Sequence, residues 1–346
     1  MIRKVDEAMK AFFGSIKNKS LKVRLPRYLK KDGFYPLIDR MVYKPSKKHY
    51  ILPRSNFIKR TSNMINEAFK KIDNKILKSV CLEDKLFIKI KTPNPIKNKE
   101  IKEITIKPSV DGNRFKVYYV YKVNKPKEIT HKTKKEMGID FGYNNLSFCA
   151  TNNNHLLIDG RYLKSLNQFY HKRYAKLSSI RPNQNIITKN MRKLINKRNN
   201  QMTYYINKAA KIIIDFAIKE KITDIYIGYN EGFKDINLND EYNQMAKSIP
   251  IAKLRDRIIY LASVNNINTF IVNESYTSSS SFIDKDEMHK DATFSGIRIK
   301  RGLYKTGNRL INADLNQALN ILRKGNPEIE VGSRGLNTPK RTYLFN

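Results

Sequence analysis

The sequence predicts an α/β protein: a small β-rich module followed by a mixed sheet covered by helices. Two observations carry that prediction. Up to about residue 130, short segments alternate apolar and polar residues and end in a Pro/Lys-rich stretch at 124–135. Beyond it, apolar runs of strand length alternate with longer segments whose apolar residues recur at helical spacing. The 346 residues are enough for two domains with cores of their own.

In order, Val5 to Ile16 reads as a short helix, followed by a basic linker from Lys17 to Lys31. A helix is expected around Ile58–Leu77, then strands at Leu86–Lys91, Ile101–Lys107 and Arg114–Val123. In the last strand Phe115, Val117, Tyr119 and Tyr121 alternate with Lys116, Tyr118, Val120 and Lys122, after a hairpin signal at Asp111-Gly112-Asn113. Tyr118, Tyr119 and Tyr121 could stack bases, but the alternation favours packing. Glu136–Thr151 reads as a hairpin around Gly142-Tyr143-Asn144-Asn145. A Lys/Arg-rich helical region follows from Leu163 to Glu220, broken near Arg181-Pro182; Ile206, Ala209, Ala210, Ile213, Ala217 and Ile218 give its second half an apolar stripe. Then come a strand at Asp224–Gly228, a helix at Ile251–Asn265, a strand at Thr269–Glu274 and a helix from Asn312–Asp314 to Arg323. The expected domains are 1–130, 131–324 and a flexible tail, 325–346, which lacks periodicity.

Charge narrows the partners. Lys plus Arg total 68 against 31 Asp plus Glu, a formal net charge of +37 spread along the chain. Such self-repulsion calls for a polyanion, and nucleic acid fits because each neutralised phosphate releases counterions. No apolar run is long enough to span a membrane, so no membrane partner and an intracellular location at nucleic acid are expected. The two cysteines, Cys81 and Cys149, are too few for a disulfide framework or a four-cysteine zinc site and read as reduced thiols.

Three acids stand out by position. Asp140 ends an apolar strand before Phe141-Gly142, Glu274 follows Phe270-Ile271-Val272-Asn273, and Asp314 lies where a helix begins. Strand ends and a packed helix can bring them together, where their mutual repulsion calls for hard divalent cations. Two such ions can activate water and stabilise a leaving oxygen in phosphodiester cleavage. Each acid also has a plainer reading: Asp140 as a turn former, Asp314 as a helix N-cap, Glu274 as a solvated strand end. Among basic residues, Arg298, Lys300 and Arg301 are candidate nucleic-acid contacts. Lys17, Lys19, Lys22 and Arg24, like the run 189–198, read equally as phosphate contacts or as a solvated face.

The segments GIDFGYNNLSFCAT, IYIGYNEGFK, IPIAKLRDRIIYLA, VNESYTSSSSFID, FSGIRIKRGLY and INADLNQALNILRK occur in that order between Glu136 and Lys324. In this they resemble the TnpB family, transposon-encoded RNA-guided DNA endonucleases related to type V CRISPR effectors. The resemblance implies a ribonuclease H-like (RuvC) nuclease domain with helical insertions. It implies Asp140, Glu274 and Asp314 as catalytic and metal-binding residues, Mg2+ or Mn2+ as cofactor, and DNA and a guide RNA as partners. Many members carry a zinc ribbon of two Cys-x-x-Cys pairs between the glutamate and the last aspartate. Here that interval has serines and no cysteine, so no structural zinc is expected; His289 and, more remotely, His171 are the histidines in reach. Phe12-Phe13 and Leu25-Pro26-Arg27-Tyr28 look like the end of the family's recognition lobe, so much of that lobe is expected to be missing. The expected function is a mobile-element-associated, metal-dependent DNA endonuclease. The alternatives are a non-enzymatic, repressor-like nucleic-acid binder and an inactive transposon remnant.

Overall fold

Strands with apolar residues on both faces can only sit inside a layered sheet, and that is where the central strands of this chain lie. The structure, a computed structural model, describes residues 2–17, 25, 37–39, 49–51, 89–91, 93–97, 99–108, 115–123, 134–181, 183, 186–230, 248–331, 336 and 339–345. It divides into two units, Met1–Val123 and Asn124–Asn346.

The first unit holds helix α1 (Ile2–Lys17) and strands β1 (Leu37–Asp39), β2 (His49–Ile51), β3 (Lys89–Lys91), β4 (Ile101–Pro108) and β5 (Phe115–Tyr121). β1, β4 and β5 form an antiparallel sheet in that order, and β2 pairs with β3. The alternation along β5 puts Val117, Tyr119 and Tyr121 against buried Ile96, Ile101, Ile104 and Ile106. Tyr118 lies on the other, exposed face, with the Lys107 ammonium 5.4 Å from its ring centre. Phe115 breaks the pattern and is exposed, because it pairs with the last residue of β4 beyond the apolar cluster. The expected helix at 58–77, the turn at 111–113 and the linkers at 18–31 and 124–133 lie outside the described residues, apart from Leu25.

In the second unit β6 (Glu136–Phe141), β7 (Asn145–Ala150) and β8 (His155–Asp159) form an antiparallel meander. Helices α2 (Arg161–Ser179) and α3 (Lys189–Lys219) follow, with Thr188 capping α3 through its side chain to the Met191 N–H. Next come β9 (Asp224–Gly228), α4 (Ile251–Val264) and β10 (Asn268–Val272). A small antiparallel sheet of β11 (Gly296–Lys300), β12 (Leu303–Thr306) and β13 (Arg309–Asn312) precedes α5 (Ala313–Gly325), and β14 (Lys340–Thr342) is last. The main sheet runs β10-β9-β6-β7-β8-β14, with β6, β9 and β10 parallel neighbours. It is therefore mixed, and the domain is α/β.

Strand alternation sorts the core into two layers. Met137 and Ile139 of β6 and Ile225 and Ile227 of β9 pack with Ile206, Ala210 and Ile213 of α3 and Leu254 and Ile258 of α4. The other face meets α5 through Phe148, Ala150, Leu157 and Tyr226 against Leu315, Ala318, Leu319 and Leu322. α5 comes so close that a Cβ on Gly138 would stand 2.3 Å from the Ala318 carbonyl oxygen.

Five strands correct the sequence reading. β8 was expected as part of no element, yet its five residues are all buried; its sequence His-Leu-Leu-Ile-Asp is too short to show a period. β11 to β13 were likewise not foreseen, since Lys and Arg break up their alternation. The tail expected to be flexible supplies β14, parallel to β8, and Leu344, buried in the core. One strand and one anchoring leucine hold residues 340–344 without any longer pattern.

Residues 274–295 are held by polar contacts rather than by a strand or helix. Buried Asp286 accepts from the Ser281 N–H at 2.7 Å, the Ser295 N–H at 2.9 Å and the Ser295 hydroxyl at 2.6 Å. From α5, Asn316 and Asn320 both donate to the Ser280 carbonyl, Asn320 also to that of Thr277, and Arg323 to that of Asp286.

Candidate active site

Period-2 alternation decides where Asp140 points. Met137 and Ile139 face α3 and α4, so Gly138 and Asp140 face α5, and the Gln317 amide of α5 donates to Asp140 Oδ1 at 2.8 Å. β9 runs parallel beside β6 with Ile227 opposite Ile139, which sets Gly228 next to Asp140 at the carboxyl ends of both strands. β10 ends at Val272 beside Gly228, and Glu274 follows two residues later, its backbone N–H donating to Asn230 Oδ1 at 3.2 Å. Glu274 Oε2 lies 3.4 Å from where a Cβ on Gly228 would be, so the carboxylate reaches the end of β9, where Ile321 of α5 also packs.

Asp314 stands in the first turn of α5. It is not the N-cap: the Asn312 side chain fills that role, accepting from the N–H groups of Asp314 and Leu315. The Asp314 carboxylate is left for other partners. Asn145, at the start of β7, donates to its Oδ2 at 2.6 Å, and Arg298 Nη2 lies 3.2 Å from its Oδ1.

All three acids line one cleft of about 550 Å³. Burial, then the charges of Asp314 and Glu274, hold the Asp140 carboxyl well above the usual carboxylate range, with Arg298 opposing them. Burial also raises Glu274. Among the described residues, no three His, Cys, Asp or Glu side chains form a group that could hold a metal ion. The acids share a cleft, and there amide and guanidinium donors contact Asp140 and Asp314.

Of the basic residues named from the sequence, Arg298 and Arg301 line the cleft; Arg298 also donates to the Arg301 carbonyl at 2.9 Å. Lys300 is exposed at the end of β11 and does not line it. Lys17 ends α1 in the first unit, and Lys19, Lys22 and Arg24 lie outside the described residues. His289 is exposed and pairs with Glu287 at 2.6 Å. Cys149 is fully buried, which pushes its thiol up to about 12; Cys81 lies outside the described residues. Sequence reasoning missed Asn145, Gln317, Arg161 and Arg341, which also line the cleft. For Gln317 a signal was present: it falls three residues after Asp314, on the same helical face.

Residues 118–234 match the family OrfB_IS605, described as "Probable transposase". Over that segment, about a third of its length, the chain is similar to this family. The match takes in Asp140 and agrees with the TnpB resemblance of the motifs; it ends before Glu274 and Asp314. Two solved structures are similar at low identity. One is a Cas12f1–sgRNA–target DNA complex, 20% identical, covering 92% of this chain and 77% of that one, with a TM-score of 0.41. The other is a CRISPR-Cas12f ternary complex, 18% identical, covering 94% and 70%, with a TM-score of 0.43. No curated protein matches the chain. Among the described residues, no helix is long and apolar enough to cross a membrane.

Proposed function

We propose that the second unit is a metal-dependent DNA endonuclease of the TnpB type, acting inside the cell on DNA with a guide RNA. In this reading residues 131–324 are the nuclease domain, and the β-rich module before them binds nucleic acid. The observation that carries it is that Asp140, Glu274 and Asp314, from three distant segments, line one cleft in which burial and the other two acids raise the Asp140 carboxyl. A buried acid held above the usual carboxylate range by burial and two neighbouring acids in a cleft marks a chemical site rather than a purely structural or binding surface.

The donor set is all oxygen, which suits Mg2+ or Mn2+ and not zinc. Divalent ions held by Asp140, Glu274 and Asp314 would supply Lewis acidity and a water activated for attack on a phosphodiester. The chain's own residues do the positioning. Gln317 orients Asp140, the Asn145 amide orients Asp314, and Arg298 places a positive charge where phosphate oxygens gather negative charge. To hold such ions Asp140 and Asp314 would exchange part of this hydrogen bonding for metal ligation.

The same amide and guanidinium contacts favour a second reading, a nucleic-acid binder whose acids are retired as ligands. One experiment separates them. In Mg2+ or Mn2+ the protein, with whatever RNA co-purifies, should cut DNA; Asp140→Ala, Glu274→Ala and Asp314→Ala should each abolish cutting and keep nucleic-acid binding. Undiminished cutting by one variant removes that residue from the site, and an inert wild type in both metals supports the binder. Sequencing the co-purified RNA and testing matched against mismatched duplexes decides whether cutting is guided.

A further inference from the structure

The cleft carries a second charged cluster that the three acids do not explain. Asp159 ends β8 with its side chain 3% exposed. Arg161, at the start of α2, clasps it: Nη2 donates to Oδ2 at 2.6 Å, Nε to the same oxygen at 2.9 Å, and the Arg161 backbone N–H to Oδ1 at 2.9 Å. Arg341, on β14, holds its Nε 3.7 Å from Asp159 Oδ2. That distance is too long for a hydrogen bond, so charge alone couples it to the carboxylate. Both arginine side chains stay about half exposed, at 59% and 45%, and both line the cleft with Asp140, Glu274 and Asp314.

One bidentate guanidinium satisfies a buried carboxylate. A second arginine at the same carboxylate leaves the cluster with a net charge of 2 − 1 = +1, on the wall of a cleft. Its location is set by the fold: β14 lies parallel to β8 with Arg341 beside Leu157, two residues before Asp159. The guanidinium fork matches phosphate oxygens. Counting Arg298 and Arg301, the cleft brings four arginines to its three acids, a suitable lining for a polyanion that must pass close to carboxylates.

We infer that Arg161 and Arg341 form a phosphate grip, fixed in place by Asp159, for the backbone of a nucleic-acid strand lying in the cleft. The grip names the part of the substrate held beside the proposed acids, and it rests on reading the cleft as the place where a nucleic-acid strand is bound. Its ligand is the phosphodiester backbone common to DNA and RNA, with the DNA strand to be cut as the expected occupant.

The test measures binding of single-stranded DNA and RNA oligonucleotides of one mixed sequence by fluorescence anisotropy across a range of salt. Each phosphate contact on a single strand contributes about 0.7 to the slope of log affinity against log salt. Arg341→Gln, at an exposed position, and Arg161→Gln should each flatten the slope by about that amount on DNA. Arg341→Lys should restore it, and Lys290→Gln, exposed and outside the cleft, should leave it unchanged. Wild-type slopes for both Gln variants on both nucleic acids would overturn the grip, and a flattening on RNA alone would overturn the DNA assignment. Cleavage assays on the wild type keep the two readings apart. A flattened slope in an inert protein would leave the grip standing while the nuclease reading fails. Cutting with unchanged slopes would sink the grip alone.

Discussion

Asp286 and Asp140 are almost equally buried, at 8% and 6% exposure, and both lie against α5, yet their surroundings are opposite. Asp286 takes two backbone N–H groups and a hydroxyl on its two oxygens, and Arg323 seals its carbonyl. Asp140 takes the Gln317 amide and a backbone contact from Phe141, against the charges of Asp314 and Glu274. Burial alone does not tell a structural acid from a chemical one; the balance of donors against neighbouring acids does. Asp286 stabilises the chain around it, whereas the charged form of Asp140 is kept at a cost that a cation bound as proposed would relieve.

The contrast should fail first, if it fails, at Asp286. Asp286→Ala strands three donors in a buried place and should destabilise the protein by about 3 kcal/mol or more, read by urea unfolding. Asp140→Asn should do the reverse in the absence of metal, raising stability by on the order of 1 kcal/mol while abolishing cleavage, as expected where function opposes stability. Equal losses in both variants would erase the distinction.

Two smaller effects sharpen it. Gly228→Ala would set a methyl group 2.4 Å from Ile321 Cδ1 and 3.4 Å from Glu274 Oε2. Ile321 can turn away at a cost of about 1–3 kcal/mol, and cleavage should fall with it because the repacking takes place beside Glu274. Unchanged activity would show that packing at the end of β9 does not position Glu274. The smallest effect concerns Asp159. Burial raises its carboxyl, but the hydrogen bonds and charge of Arg161 outweigh burial and hold it below the ordinary value. A depressed folded value gives stability that is present above the unfolded pKa, about 3.9, and is lost as pH falls through the folded one. Asp159→Asn should therefore remove part of the stability lost on acidification below about pH 4. An acid limb identical to that of the wild type would show that Arg161 does not hold the carboxylate.

Most of the second unit was legible because its elements are long or sharply bounded. β9 was read to the residue, α4 to within one, and the Glu136–Thr151 hairpin in its correct pairing. Asp140 was legible at a strand end and Asp314 at a helix start, while Glu274, expected to end its strand, lies two residues beyond it; the partners of the acids were not legible. Asn145 and Arg298 reach Asp314 through tertiary folding that no local period announces. The same holds for Arg341, which enters the cleft only because a three-residue strand adds to the edge of the sheet. Short edge strands and polar knots leave little pattern in a sequence, since their stability lies in what they meet.

The central claim is that Asp140, Glu274 and Asp314 wait for divalent metal. Thermal unfolding of the protein with increasing Mn2+, beside Asp140→Asn, tests it most directly, because a ligand that binds only the folded state stabilises it by about 2.7 kcal/mol at a hundred times its dissociation constant. The account predicts a rise in melting temperature that saturates with Mn2+ in the wild type and is absent in Asp140→Asn. No rise in the wild type, or the same rise in both, would contradict it.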